Sequence, residues 1–244
     1  MNAIETIGLT KTYGAKTAVD SLNLAIEEGE LFALLGVNGA GKTTTIKMLC
    51  CLTKPVAGDA KILGNSVKEN PAAVKELINV SPQETAVARN LTVRENLEMI
   101  AGIYGNDRKV SGEKADAMIK TFSLEEVRNS KAKTLSGGMQ RRVSIAMALI
   151  SDPKILFLDE PTLGLDVLAR RELWTAIRKL KGRITVILTT HYMEEAEALS
   201  DRIGIMAKGR LIKTGTAAEL MAATETKTLE DAFIGLASEE EAAV

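Results

Sequence analysis

The chain has few of the residues that characterise secreted or disulfide-stabilised proteins. It contains one histidine and only two cysteines, Cys50 and Cys51, which are adjacent. An adjacent pair provides no disulfide framework, so the sequence fits a reducing compartment. We expect both cysteines to pack as small apolar residues near the core.

Long apolar runs are also absent. The runs at residues 155–158 and 186–188 are far shorter than the about 18 residues that a membrane-spanning helix needs. The N-terminus has neither a basic nor an apolar segment, so we expect no signal peptide. Any role at a membrane should therefore depend on a partner protein.

Neither sign of charge is in excess. The 31 lysines and arginines balance 32 aspartates and glutamates, which gives a net charge of −1. Because nucleic-acid-binding proteins usually carry a basic surplus, we expect no nucleic-acid partner. The 244 residues, of which 45% are hydrophobic, are enough for one domain with a substantial core.

The order of the predicted elements indicates an α/β fold. Leucine and isoleucine alternate with polar or small residues at positions 22–26, which is the period of a half-buried strand. Residues 31–35 form a continuous apolar run, as in a strand buried on both faces. A glycine-rich turn and a helix over about residues 42–51 follow. Residues 155–158 and 184–189 are two more buried-strand candidates, and residues 203–207 and 210–213 predict a hairpin.

The middle of the chain predicts helices, from about residue 84 to residue 150. Thr92 and Glu95 form a capping-box pair at one predicted helix start. Apolar residues with helical spacing follow in two sets, the first at 115–122 and the second at 143–150. Leu173, Trp174, Ile177 and Leu180 mark a crossover helix between the later strands.

Residues 36–43 match the pattern G-x-x-x-x-G-K-[ST] between a buried strand and a helix. Glycines let backbone N–H groups point at phosphate oxygens, and the helix adds its positive end. We expect Lys42 to reach the β- and γ-phosphates, the Thr43 hydroxyl to bind Mg²⁺, and Thr44 to reach the α-phosphate. The predicted nucleotide-binding residues are Gly36, Asn38, Gly39, Ala40, Gly41, Lys42, Thr43 and Thr44.

Two acids, Asp159 and Glu160, follow the apolar strand at residues 155–158. A strand end beside a phosphate loop is where Mg²⁺ needs a carboxylate, and Asp159 fits that role. Glu160 is then placed to orient and polarise an attacking water. Without the phosphate loop, the two acids could equally be solvated residues at a strand end.

The segment Leu135-Ser136-Gly137-Gly138-Met139-Gln140 resembles the signature motif of ABC-transporter ATPases, and the resemblance extends over essentially the whole chain. It implies a P-loop NTPase (RecA-like) core with an N-terminal antiparallel β subdomain and an inserted helical subdomain. The ATPase domain would cover residues 1–216, with the helical subdomain at about 84–150. Residues 217–244 would form a short helical, acidic tail.

The resemblance implies roles for residues whose own signal is weak. Tyr13 looks like the aromatic that stacks on adenine, although an ordinary edge-strand tyrosine is the alternative. Gln83 resembles the Q-loop glutamine, which contacts Mg²⁺ or the attacking water and hinges the helical insert. His191, the only histidine, matches the switch histidine that contacts the γ-phosphate. Asp166 lies in the segment that resembles the D-loop, and it could also cap the crossover helix.

Ser136, Gly137 and Gly138 would form a second anion-binding helix start. In the family this motif binds the γ-phosphate that the other subunit holds. One phosphate loop and one such motif in each chain imply a head-to-tail dimer, most simply of two identical copies, with ATP and Mg²⁺ between them. The resemblance also implies an integral-membrane permease as partner, and a peripheral location on the cytoplasmic face of the membrane.

Residues 90–97, 190–197 and 229–233 resemble the drug- and antibiotic-exporter branch of the family. The implied function is the ATP-hydrolysing subunit of an exporter of drugs or other small hydrophobic compounds. The alternative is a soluble ABC-type ATPase acting in translation or DNA repair, although the chain has one cassette and no sustained heptads. A third hypothesis, a nucleotide switch that barely hydrolyses, is opposed by Glu160 and His191.

Overall fold

A computed structural model describes residues 1–242, and side chains up to residue 238. The N-terminal part forms an antiparallel sheet of four strands: β1 (Asn2–Tyr13), β2 (Lys16–Glu27), β4 (Ala57–Ile62) and β5 (Asn65–Ser66). Their order in the sheet is β2-β1-β4-β5. Exposed and buried residues alternate along the second half of β2, which explains the alternating sequence pattern there.

The second sheet has six strands: β3 (Leu31–Leu35), β6 (Ile78–Ser81), β7 (Ile155–Asp159), β8 (Thr185–Thr190), β9 (Arg202–Ala207) and β10 (Arg210–Gly215). Their order is β10-β9-β3-β8-β7-β6, and only β10 runs antiparallel to its neighbour. The hairpin predicted at residues 203–213 is therefore confirmed. Parallel strands bring their carboxyl ends to one edge, so the residues after β3, β7 and β8 lie together.

The described helices are α1 (Lys42–Leu49), α2 (Pro71–Leu77), α3 (Val93–Ile103), α4 (Arg108–Thr121), α5 (Gly137–Leu149), α6 (Val167–Arg178), α7 (Met193–Leu199), α8 (Ala217–Ala223) and α9 (Leu229–Ala242). None of the helices within residues 1–242 combines the length and the apolar composition that crossing a membrane requires. The predicted tail is helical in α8 and α9. The side chains of its acidic end, and residues 243–244, lie outside the described part.

The six-stranded sheet separates two apolar cores. Leu31, Ala33 and Leu35 of β3 face the core formed with α3 to α7. Phe32 and Leu34 face the other core, which α1 and the antiparallel sheet complete. Both faces of β3 are thus covered, and this explains its uninterrupted apolar sequence.

The helical prediction for the middle of the chain is wrong at its beginning, because residues 84–91 are irregular. The fully buried Asn96 accepts the Ala88 N–H at 2.8 Å and donates to the Ala88 carbonyl at 3.1 Å. Leu91 pairs through its carbonyl with the Ala132 N–H at 2.8 Å. These partners replace the hydrogen bonds of a helix. The predicted capping box is confirmed, since Thr92 and Glu95 exchange both bonds at the start of α3.

The two cysteines lie at the end of α1. Cys50 is buried, as predicted, and Cys51 is only partly buried, with a φ of +54°. Burial raises the pKa of both thiols. Both thiols pack beneath the antiparallel sheet, where Cys50 belongs to the core and Cys51 borders it.

Candidate functional site

A cavity of about 320 Å³ opens where β3, β7 and β8 end. It collects most of the site residues predicted from the sequence, which lie far apart along the chain. Those lining it are Tyr13, Asn38, Gly39, Ala40, Gly41, Lys42, Thr43, Thr44, Gln83, Glu160 and His191. Lys16 and Ala18 line it too, although nothing in the sequence distinguishes them, and so does Leu163, from the segment that resembles the D-loop.

The phosphate loop follows a path that requires glycine at two positions. A Cβ at Gly36 would lie 2.5 Å from the Met206 carbonyl oxygen. One at Gly41 would lie 2.4 Å from the Ala18 carbonyl oxygen, and Gly41 also has a φ of +104°. The backbone is thus packed directly against its neighbours, and its other side borders the cavity. Such a cradle fits a polyphosphate, which backbone N–H groups bind.

Lys42 places a buried ammonium group at this loop, with only 5% of the residue exposed. Its Nζ donates to the Gly36 carbonyl at 2.7 Å and to the Val37 carbonyl at 3.3 Å. It also lies 3.2 Å from Oε1 of Glu160. The amine therefore has oxygen partners on two sides, and a phosphate entering the cradle would compete with them for its protons.

Glu160 lies between Lys42 and the only histidine. Its Oε2 is 2.7 Å from Nδ1 of His191, and the carboxylate is almost fully buried. The Glu160 N–H donates to the Thr189 carbonyl at 3.2 Å and to its hydroxyl at 3.0 Å. Glu160 has a φ of +48°, so the chain turns sharply out of β7 at this residue. The ends of β7 and β8 thus fix the carboxylate against the imidazole.

Asp159, Thr43 and Thr189 form a set of oxygen atoms beside the loop. Oδ1 of Asp159 accepts the hydroxyl of Thr189 at 2.6 Å and that of Thr43 at 3.1 Å. Carboxylate and hydroxyl oxygens are the ligands that Mg²⁺ prefers, and Mg²⁺ completes its shell with water and phosphate oxygens. Asp159 and Thr43 have the chemistry to fit a magnesium ion, and their metal-binding role stays a prediction.

Tyr13 ends β1 at the open side of the cavity, and half of the residue is exposed. The ammonium of Lys11 lies 5.2 Å from the centre of its ring. Tyr13 pairs with Lys16 across the β1–β2 turn. The exposed ring lies at the cavity beside the phosphate loop, and its stacking on a base stays a prediction.

Arg141 is a site residue that the sequence analysis missed. It lies in α5, is 3% exposed, and donates to the carbonyls of Asp159 and Pro161 at 2.9 Å each. It also donates to the Pro82 carbonyl. Burial lowers the pKa of its guanidinium to about 10. Arg141 thus ties the Gln83 loop and the end of β7 to α5.

The residues 136–138 and Asp166 do not line the cavity. Oγ of Ser136 accepts the Met139 N–H at 3.3 Å, and Asp166 caps α6 through the Ala169 N–H at 2.9 Å. The predicted cap role of Asp166 is therefore confirmed, and Ser136 is the N-cap of α5. Any contact of these residues with a nucleotide would have to involve a nucleotide held outside this cavity.

Comparison with known proteins places these observations in a family. A family model described as ABC transporter matches residues 19–163. The probable multidrug ABC transporter ATP-binding protein YbhF of Escherichia coli (strain K12) is 41% identical over 96% of this chain. The chain spans only 41% of the length of that relative. The daunorubicin/doxorubicin resistance ATP-binding protein DrrA of Streptomyces peucetius is 42% identical over 93% of this chain and 69% of its own length.

Solved structures have the same fold. The ATP-binding subunit of an ABC transporter superposes with a TM-score of 0.84 at 28% identity, covering 96% of this chain and 99% of its own. A dimeric ATP-binding cassette in a post-hydrolysis state, bound to ADP and Pi, superposes with a TM-score of 0.78 at 28% identity. That match covers 87% of this chain and 98% of the other. The fold class predicted from the sequence is thereby confirmed.

Proposed function

The chain belongs to the ABC transporter family, and from this membership we propose that it binds and hydrolyses ATP to drive a separate membrane permease. The observation that carries the proposal is the set of charges around the phosphate loop. Lys42, Glu160 and His191 form one chain of contacts of 3.2 and 2.7 Å beside a glycine cradle. One relative is named as a probable multidrug transporter protein and the other as a daunorubicin/doxorubicin resistance protein, which favours export of small hydrophobic compounds.

The proposed reaction is transfer of the γ-phosphoryl group from ATP to water. Such catalysis is largely positioning and charge stabilisation. Lys42 would leave its carbonyl partners for the β- and γ-phosphates, and Glu160 would accept a hydrogen bond from the attacking water and orient it. His191 would hold Glu160 through Nδ1 and present its other face to the γ-phosphate. A magnesium ion held by Thr43, Asp159 and Gln83 would supply positive charge against the phosphate oxygens.

Dimer formation is part of the proposal, because residues 136–138 lie away from the cavity of their own chain. Three apolar side chains beside the cavity and at the start of α6 are largely exposed: Val37, Val167 and Leu168. A head-to-tail dimer would cover these side chains. It would also bring Ser136, Gly137 and Gly138 of one subunit to the γ-phosphate held by the other, with Asp166 near the contact. A second copy of this chain is the simplest partner.

The permease would dock next to the Gln83 loop. A groove of about 280 Å³ lies there, lined by Pro82, by Ile100 and Ile103 of α3, and by Tyr104, which follows the end of that helix. Ile103 and Tyr104 are more than half exposed although one is aliphatic and the other carries a large aromatic ring. An apolar groove that adjoins the site is suited to transmit its opening and closing. The chain would thus be peripheral on the cytoplasmic face of the membrane.

The alternative, a soluble ATPase acting in translation or DNA repair, is disfavoured by the relatives, of which one is named as a transporter ATP-binding protein and the other as a drug-resistance ATP-binding protein. Co-purification separates the two functions, because a polytopic membrane protein would support transport and a ribosome or DNA would support the alternative.

The proposal is tested by replacing Glu160 with glutamine. The amide keeps the shape of the side chain but cannot act as a base, so we expect hydrolysis to fall by about 100-fold or more. ATP binding should be retained, as measured by equilibrium binding of a fluorescent ATP analogue. Lys42→Ala is the matched control, because it should lose binding as well. Wild-type turnover in Glu160→Gln would contradict the role of Glu160, and normal binding in Lys42→Ala would contradict the cradle.

A further inference from the structure

A buried carboxylate lies behind the site without a part in the reaction described above. Glu195, in α7, is fully buried. Its Oε1 accepts the indole N–H of Trp174 at 3.0 Å. Its Oε2 is buried as well and has no hydrogen-bond partner among the described residues. An unpaired buried carboxylate oxygen costs free energy, so its persistence calls for a partner.

The hydroxyl of Thr162 is a second buried polar group of this kind. Thr162 is 1% exposed, and its Oγ1 also has no hydrogen-bond partner within the described residues. Burial raises the pKa of Glu195, while the hydroxyls of Thr190 and Thr162 and the Trp174 indole lower it. The Thr162 hydroxyl therefore faces the carboxylate without bonding to its free oxygen. One of the two unpaired atoms is a donor and the other an acceptor, so a hydrogen bond between them would satisfy both.

Thr162 and Glu195 belong to the two segments that carry the reacting groups. Thr162 comes two residues after Glu160, in a loop whose Leu163 lines the cavity and is 41% exposed. Glu195 lies four residues after His191, in the helix that begins at Met193. Arg141 holds the other side of the loop through the Pro161 carbonyl at 2.9 Å. A shift of the loop toward α7 would thus move Glu160 and His191 relative to each other.

We propose that Glu195 is a positioning residue that binds the hydroxyl of Thr162 when a second subunit presses on the exposed loop after Glu160. Thr162 Oγ1 then donates to Glu195 Oε2, and this bond locks the Glu160 segment to the His191 segment. The inference rests on the proposed function, since the second subunit of the proposed dimer would contact Leu163, Val167 and Leu168. In the closed dimer, the two buried atoms that lack a partner here would be bonded to each other.

Thr162→Val tests the bond, because valine keeps the shape of threonine and removes the hydroxyl. Since the hydroxyl has no hydrogen-bond partner among residues 1–242, the thermal midpoint without ATP should change little. The kcat for ATP hydrolysis should fall about tenfold, the worth of one hydrogen bond to a charged group, with KM within about twofold. Thr162→Ser retains the hydroxyl and should restore turnover. A Thr162→Val variant with wild-type kcat, or one whose loss of turnover follows a lowered midpoint, would overturn the proposal.

Trp174 gives a readout that is independent of turnover. It is the only tryptophan in the chain, and its indole shares the Glu195 carboxylate. ATP with Mg²⁺ should therefore change its fluorescence in the wild type and in Thr162→Ser, but not in Thr162→Val. An equal change in Thr162→Val would count against the bond.

A double variant isolates the pair. In a Glu195→Met background, Thr162→Val should cause no further loss, whereas a full additional tenfold loss would exclude coupling between the two side chains. Wild-type hydrolysis is measured first, since its absence would contradict the proposed function itself. Wild-type hydrolysis together with an unaffected Thr162→Val variant would contradict only this inference.

Discussion

At the scale of single residues, Gly138 shows how closely α5 and α6 approach each other. A Cβ at this position would lie 2.8 Å from Cβ of Ala169, which is closer than packed side chains come. We expect Gly138→Ala to push the two helices apart and to cost about 1–3 kcal/mol of unfolding free energy. Chemical denaturation measures this cost.

Gly137→Ala is the matched control for this substitution. A Cβ at Gly137 would meet only a side-chain atom of Leu165, at 4.0 Å. Both glycines lie in the first turn of α5, so their helix propensities change alike and only the contact with α6 differs. Equal destabilisation by the two substitutions would show that the close approach to Ala169 has no energetic consequence.

At the scale of elements, Asn96 fixes the irregular segment before α3. Its amide donates to the carbonyls of Ala88 and Thr92, at 3.1 and 2.8 Å, and its oxygen accepts the Ala88 N–H. Asn96→Asp keeps the acceptor but replaces the donor with a second oxygen, which faces carbonyls in a buried position. We expect a loss of about 2–3 kcal/mol of unfolding free energy, measured by urea denaturation.

Asn106→Asp is a suitable comparison for that loss. The Asn106 amide makes a single bond, to the Ala101 carbonyl at 2.9 Å, in a partly buried position. Water can reach this site, so the cost should be clearly smaller than at Asn96. If the two substitutions cost the same, the buried network of Asn96 is not what holds the segment.

The elements also show which features the sequence could predict. The phosphate loop and the capping box of Thr92 and Glu95 were predictable, because each depends on residues close together in the chain. The irregular path of residues 84–91 was not, since its partners include Ala132, far along the chain. Arg141, Thr162 and Glu195 were missed for the same reason. Their partners come from several segments, and only the folded sheet brings those segments together.

At the scale of the whole molecule, the proposed dimer predicts complementation between two inactive variants. Lys42→Ala disables the phosphate loop of the chain that carries it. Ser136→Arg blocks the helix start at residues 136–138, which that chain would contribute to the site of its partner. A mixed dimer combines the intact Lys42 of one chain with the intact Ser136 of the other. We expect each variant alone to be inactive and an equimolar mixture to regain ATPase activity, which a phosphate-release assay measures.

The size of the recovered activity follows from statistics. Half of the dimers in a random mixture are mixed, and each has one intact site of two, so about a quarter of the wild-type rate is expected if the sites act independently. A mixture as inactive as its components would contradict independent sites that each combine Lys42 of one chain with Ser136 of the other. The composite site would then be wrong.

The burial of Cys50 and Cys51 has a practical consequence for following such a dimer. The thiolate is the form that reacts with maleimides, and burial raises the pKa of both thiols, so both stay protonated at neutral pH. A cysteine introduced in place of exposed Ile234, on α9, would therefore be the preferred site of dye attachment. Energy transfer between dyes on two subunits could then report their approach and separation, with the native cysteines left in place.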